Sequence, residues 1–243
     1  NIYEAVQVND LLLSTDTIIN KLGVNNNFKS IFKNVNSDGK NSSKFKDKAQ
    51  SEFLTMFAYD ADIPLFKENE KYRNILIPKI SLRHSPNNTK NLKNENRLLS
   101  TDNIFSFNRI GFNQTIESGT SLTLGLDFDK KDKEDNNSLF SSKIATVFRD
   151  ELNENLPITS SLGKKQSDFV GELLFQPYKN FLLDYNYSIN NDLDEVNLHK
   201  LTNTFQINNF VNTFTFYEEN NLIGNKSYYE NDITYKINDS NSL

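Results

Sequence analysis

The sequence predicts an all-β fold: antiparallel strands of a transmembrane β-barrel, about a dozen of them, with no convincing helix. Three observations predict it. Apolar and polar residues alternate with a period of two, as in Phe181, Leu183, Tyr185, Tyr187 and Ile189 against Leu182, Asp184, Asn186, Ser188 and Asn190. The alternating runs are roughly 9–12 residues long, which fits a tilted membrane strand, whereas strands of soluble proteins cluster near about 5–6. The 19 Phe and 10 Tyr sit mostly in phase with that alternation, although the mean hydropathy is only −0.62. Disordered chains are poor in aromatics, and barrel strands look only moderately apolar because half of each faces a polar lumen.

The elements follow in order. Ile2 to Asn20 reads as one long strand or two short ones, broken by Gly23. Asn27 to Asn34 reads as a strand, although Phe28, Ile31 and Phe32 also suit a short helix; Asn34 to Asp47, polar and holding Gly39, reads as an exposed loop. Ser51 to Asp60 alternates Phe53, Thr55, Phe57 and Tyr59 with Leu54, Met56 and Ala58. Ile63 to Lys67 reads as a turn with an apolar anchor. Asn74 to His84 is a strand whose Pro78, lacking an N–H, favours an edge, a bulge or a strand start. Ser85 to Glu95 is a polar loop, and Asp102 to Phe112 carries Phe105, Phe107 and Arg109 as the next of the series.

Gly119 to Asp129 sets Leu122, Leu124, Leu126 and Phe128 against Ser121, Thr123, Gly125 and Asp127. A charged loop to Ser138 leads to a return strand from Leu139 to Asp150. The stretch Leu156 to Asp192 ends in a hairpin, Phe169–Gln176 and Phe181–Asn190 joined through Gln176-Pro177-Tyr178-Lys179-Asn180. Asn197–Asn208, Phe210–Glu218 and Tyr228–Ile237 complete the series.

Composition excludes several classes. A net charge of −5 with mixed signs lacks the clustered basic surface of a nucleic-acid binder. With no Cys there is no disulfide frame, thiolate nucleophile or Cys-based metal site in this sequence. No apolar run approaches the roughly 20 residues of a membrane helix. The chain opens on Asn and reads as part of a longer protein, residues 1–243 forming one domain.

Motifs then add to the pattern. Leu156-Pro157-Ile158-Thr159-Ser160-Ser161-Leu162-Gly163, followed by Ser167-Asp168-Phe169-Val170-Gly171, resembles the C-terminal barrel of the LptD family, outer-membrane lipopolysaccharide-assembly proteins. Arg97-Leu98 with Asp102-Asn103-Ile104-Phe105-Ser106-Phe107-Asn108-Arg109 resembles that family's D-N-L-F-S-x-N-R signature. Glu117-Ser118-Gly119 is similar to its next element, an E-G-G-like start from which Ser118 departs. Pro64-Leu65-Phe66-Lys67 and Ile77-Pro78-Lys79-Ile80 resemble two further stretches, and the likeness is colinear from about Ser51 to Tyr235.

The resemblance implies a very large barrel of which this chain is part, in the outer membrane of a Gram-negative bacterium. It implies insertion of lipopolysaccharide into the outer leaflet, through a lumen for the sugar and a lateral gap for the acyl chains. The implied partners are lipopolysaccharide, outer-membrane lipids, a plug lipoprotein resembling LptE, and periplasmic bridge components reached through an N-terminal domain. No cofactor is implied. Two other readings stay open: a soluble all-β surface or binding protein, and a generic porin-like channel.

Catalysis is not expected. His84 and His199 lie in separate strands without ligand-like spacing. Ser160, Asp168 and His199 make a triad only on paper, for no G-x-S-x-G elbow is present. Asp127, Asp129 and Asp132 miss the EF-hand order and read as a solvated loop. Arg83, Arg97, Arg109, Lys164 and Lys165 are candidate contacts for lipid phosphates or a polar lumen, since Arg forks match phosphate. Tyr178, Phe181, Tyr185, Tyr187, Tyr228 and Tyr229 are candidates for interfacial girdles.

Overall fold

A computed structural model describes residues 2–41, 47–220, 222–238 and 241–242. All of its strands join one antiparallel sheet of fourteen, and the one helical element is a 3-10 turn at Ile158–Ser160. The strands are β1 (Tyr3–Ser14), β2 (Ile18–Ile19), β3 (Asn25–Lys40), β4 (Gln50–Asp62), β5 (Leu65–Glu68), β6 (Tyr72–Ser85) and β7 (Gly119–Asp132). They continue with β8 (Ser138–Arg149), β9 (Phe169–Tyr178), β10 (Phe181–Ile189), β11 (Val196–Ile207), β12 (Phe210–Glu219), β13 (Lys226–Asn238) and β14 (Asn241–Ser242). Each long strand pairs with its neighbours in sequence, with β2 on β3 and β5 on β6. Among the described residues β1 meets no strand at the other end, so the sheet is open.

Besides Ile63–Lys67, whose Leu65, Phe66 and Lys67 pair with β6 as part of β5 instead of forming a turn, three expectations need correction. The strand expected to stop at Asn34 runs on to Lys40, because partners flank it on both sides: β1 pairs with it from Ser14 back to Tyr3, and β4 as far as Gln50. Its asparagines are satisfied within the sheet, Asn36 donating to Asn34 at 2.6 Å and Asn34 to Ser51 at 3.0 Å. (The expected loop lies partly outside the described residues.) The helical alternative for Phe28, Ile31 and Phe32 fails against the same pairing. Phe28 meets Tyr59 at 4.9 Å and Phe32 meets Phe57 at 6.1 Å on one face, with Ile31 opposite Met56 on the other.

Pro78 sits inside a central strand rather than at an edge. β6 pairs with β5 up to Leu76 and with β4 from Lys79, and Pro78 falls in the gap between those partners. Its carbonyl accepts the Ile63 N–H at 3.3 Å, so its missing donor points at the break where no ladder bond is needed. The third correction is Asp102–Phe112, which forms successive turns instead of a strand.

Side chains alternate across the sheet, and the register makes the two faces continuous. One face carries Leu11, Phe28, Phe32, Phe57, Tyr59, Leu82, Leu122, Leu124, Leu126, Phe148, Phe175, Leu183, Tyr185 and Phe216. No second sheet covers it among the described residues, and Phe53 is 63% exposed, Phe57 47% and Leu124 41%. The other face is polar: Lys29, Asp60, Arg83, Ser121, Thr123, Lys143, Glu172, Asp184, Asn186, Thr202 and Thr215.

The two ends of the sheet differ as well. The long connections 86–118 and 150–168 leave one end, and the tight Lys179-Asn180 and Asn208-Asn209 turns close the opposite one. Asn208 takes the left-handed conformation that such a turn requires, with φ of 50°.

Candidate functional site

The long connections fold back over the polar face and form a stopper with its own core. Leu92, Leu99, Ile104 and Ile110 from residues 86–118 pack with Leu156 and Leu162 from residues 150–168. From the wall they meet Ala145, Val147 and Val170. Backbone and side-chain bonds stitch the two segments: Leu92 N–H to the Asn155 carbonyl at 2.7 Å, Ile158 N–H to the Lys93 carbonyl at 3.3 Å, and Arg97 N–H to Thr159 Oγ1 at 2.9 Å.

The stopper is seated by a buried ionic cluster. The Arg109 guanidinium, 1% exposed, donates to Glu117 at 2.5 and 2.6 Å, to Thr123 Oγ1 at 2.7 Å and to Ser121 Oγ at 2.7 Å. Arg149 at the end of β8 donates to Glu117 and to the Ser118 carbonyl. From β6, Arg83 donates to the Phe105 and Ser106 carbonyls at 2.8 and 2.9 Å. Burial by itself would raise the Glu117 carboxyl, but the Arg109 guanidinium, aided by Arg149 and Arg83, outweighs it and holds the group at about 2.

The wall fits this seat by shape. A β-carbon at Gly125 would stand 2.7 Å from the Phe105 ring, so the stopper rests on bare backbone there. Gly163 is required for a similar reason, since a β-carbon would meet the Asn153 carbonyl at 2.5 Å. On the apolar face Tyr187 lies over Gly171, whose β-carbon would fall 2.1 Å from the ring. Beside Arg149, a polar groove of about 320 Å³ lies between Asn87, Ser118, Asp150 and Asn153.

The residues singled out from the sequence mostly converge on this stopper. Asn103 closes a turn by accepting the Ser100 N–H and donating to the Leu98 carbonyl, and Asn108 accepts the Gly111 N–H at 3.2 Å. Asp102 is exposed. Leu156, Pro157 and Leu162 are buried in the stopper, and Ser160 Oγ donates to the Pro157 carbonyl at 2.8 Å. Ser161, in the left-handed conformation, accepts the Asp168 N–H. Ser167 accepts the Val147 N–H at 2.9 Å, and Asp168 accepts from Asn197 at 2.9 Å.

The five candidate cations separate into two groups. Arg83 and Arg109 are enclosed and occupied with protein acceptors, and Arg97 donates to the Arg109 carbonyl at 2.8 Å. Lys164 and Lys165 are exposed at the surface of the stopper. Arg149 was not among the candidates; it falls in the polar phase of β8 with Ser141 and Lys143, and that signal was available in the alternation. The girdle candidates divide too: Tyr185 and Tyr187 stack at 5.5 Å on the apolar face, while Tyr228 lies on the polar face, stacked on Tyr217 at 5.0 Å. Here the reading of Tyr228 and Tyr229 together is corrected, because adjacent strand residues point to opposite sides.

Ser160, Asp168 and His199 have separate partners; the His199 ring pairs with the Tyr185 hydroxyl at 2.7 Å on the apolar face. Asp127 pairs with Lys79, and Asp129 with Lys131 at 3.5 Å and Ser138 at 2.5 Å. Among the described residues no three His, Asp or Glu side chains are grouped to hold a metal ion. No family model matches the chain, and no curated protein is detectably similar to it.

Proposed function

We propose that the chain is part of an outer-membrane β-barrel that moves lipopolysaccharide to the outer leaflet, in the manner of the LptD family. The observation that carries the membrane half of this reading is the inversion of the two faces. Among the described residues the apolar side of the sheet is bare, while the polar side is covered along β6 to β9 by the chain's own connections. In water each half-exposed Leu or Phe leaves on the order of 1 kcal/mol of transfer free energy unrealised, and a hydrocarbon environment supplies it along the whole face. Strand length fits: the 14 residues of β7, at about 3.4 Å each and tilted about 45°, reach about 34 Å along a membrane normal. Tight turns at one end and long connections at the other also match barrels of this kind.

The lipopolysaccharide half rests on the colinear motifs. Support comes from their meeting in space: Arg109 of the D-N-x-F-S signature bonds Glu117 of the following element, and Leu156 and Leu162 pack with Ile104. A generic porin-like channel is the second reading, favoured by the uncovered polar face of β10 to β13. Cysteines at Leu183 and Asp184, on the full-length protein in outer membranes, test the proposal. A bilayer-restricted quencher should reach position 183 while a water-soluble reagent labels 184. Protection of 183 from both would replace the barrel with a soluble β-protein. Crosslinking of lipopolysaccharide to position 184 would separate the translocon from the channel.

A further inference from the structure

The stopper has two kinds of contact, and they differ in how they tolerate water. Its interior is apolar, built on Leu92, Leu99, Ile104, Ile110, Leu156 and Leu162. Its seat is mixed: Ser81, Arg83, Ser121, Thr123 and Arg149 make a polar part on β6, β7 and the end of β8, beside apolar contacts with Ala145, Val147 and Val170. Three guanidiniums, Arg83, Arg109 and Arg149, are gathered there around one carboxylate, Glu117. Such a seat holds tightly while dry and complete, since removing one partner strands the other charges in a site of low dielectric. Once wetted, the same groups are well solvated and lose little. The apolar interior joins residues 86–118 to residues 150–168, so parting the two exposes Leu92, Leu99, Ile104 and Ile110 and opposes opening.

The foot of the loop is a tight, glycine-dependent bend. Gly119, where the 86–118 connection enters β7, has φ of +81°, and a β-carbon there would press on the Arg149 guanidinium at 3.0 Å. The 150–168 segment is tied to the wall differently. Its Lys165 carbonyl and Ser167 N–H pair with Arg149 and Val147, continuing the ladder of β8. The fixed and the releasable parts of the stopper are thus distinct.

We propose that residues 86–118 are a gate for the polar passage, latched closed by the Arg109–Glu117–Arg149 cluster and opened when Arg109 and Glu117 part from Arg149 and β7. This rests on the barrel reading. It adds that the passage is controlled from within the chain, on the β6–β9 side, whatever else fills the lumen.

Ion conductance of the full-length protein in planar bilayers tests it. Glu117→Gln should raise the time-averaged conductance at least about tenfold over wild type, and Glu117→Asp, which keeps the charge, should restore most of the closure. A second measurement covers a Glu117→Gln protein that fails to assemble. Thr101 Oγ1 lies 3.0 Å from Glu172 Oε2, so Thr101→Cys with Glu172→Cys, bridged through disulfides by a short bis-methanethiosulfonate reagent, can tether the loop to β9. The tether should abolish open events and a reductant should return them. A Glu117→Gln protein that inserts and conducts like wild type overturns the gate, as does a tether that leaves gating unchanged. If position 183 is also protected from lipid, the barrel reading itself has failed; if 183 is quenched by lipid, only the gate is lost.

Discussion

Strands β3 to β9 and strands β10 to β13 follow the same alternation, yet their polar faces meet different surroundings. Along β6 and β7 the polar-phase residues nearest the long connections are sealed under the stopper: Ser81 and Thr123 are 0% exposed and Arg83 3%. Along β10 to β13 the same phase carries Asp184, Asn186, Lys200, Thr202, Thr215 and Glu230, half-buried or exposed. The sealed half solves its polarity with buried ion pairs that must be complete. The open half solves it with cross-strand neighbours, such as Thr204 and Thr213 at 3.3 Å, and with solvent. Identical patterning therefore yields a stringent site in one region and a tolerant one in the other, and the difference is what lies across from each strand.

That contrast can be broken most severely at Arg109. Arg109→Ala leaves Glu117 buried with half its partners and strips Ser121 and Thr123 of their donor, a loss of about 3–5 kcal/mol. Denaturant unfolding of the membrane-inserted protein should show it, whereas Thr215→Val in the open half should stay within about 0.5 kcal/mol. A smaller effect is expected at Gly125. Gly125→Val drives a side chain into the Phe105 ring and should cost about 1–3 kcal/mol by overpacking, read as a lowered unfolding midpoint.

Acidification should sharpen the comparison further. The Glu117 carboxyl sits at about 2 in the fold against 4.5 when free, so its stabilisation is present above about 4.5 and is lost as pH falls through about 2. Hydrogen-exchange protection at residues 104–117, taken relative to the intrinsic rate at each pH, should therefore hold steady down to pH 4.5 and fall below it, ahead of β11 and β12. An equal response in both halves would show that the seat is not set by Glu117. A smaller change than at Arg109 is expected at Tyr217, whose hydroxyl donates to Glu219 at 2.5 Å beside the open face. Tyr217→Phe should cost about 1 kcal/mol and leave the stopper's exchange untouched.

Much of this molecule was legible in the chain. Leu122, Leu124, Leu126 and Phe128 against Ser121, Thr123 and Asp127 define β7 by period alone, because a strand has no other way to sort its side chains. The hairpin of β9 and β10 follows from the same rule. Asn34 to Lys40 was not legible, since polar side chains and Gly39 have weak local preference and only flanking partners extend the strand. Phe105, Phe107 and Arg109 alternate like a strand yet form turns, because Arg109 finds Glu117 and Thr123 and Phe105 finds Gly125. Short-range pattern carries no information about such long-range partners.

By itself, then, the sequence determined the strands and the two chemically opposite faces, through alternation that local geometry alone converts into sides of a sheet. Only the tertiary structure decided which face is covered and by what. Covering depends on where residues 86–118 and 150–168 fold back, and that is set by one buried carboxylate among three guanidiniums drawn from separate elements.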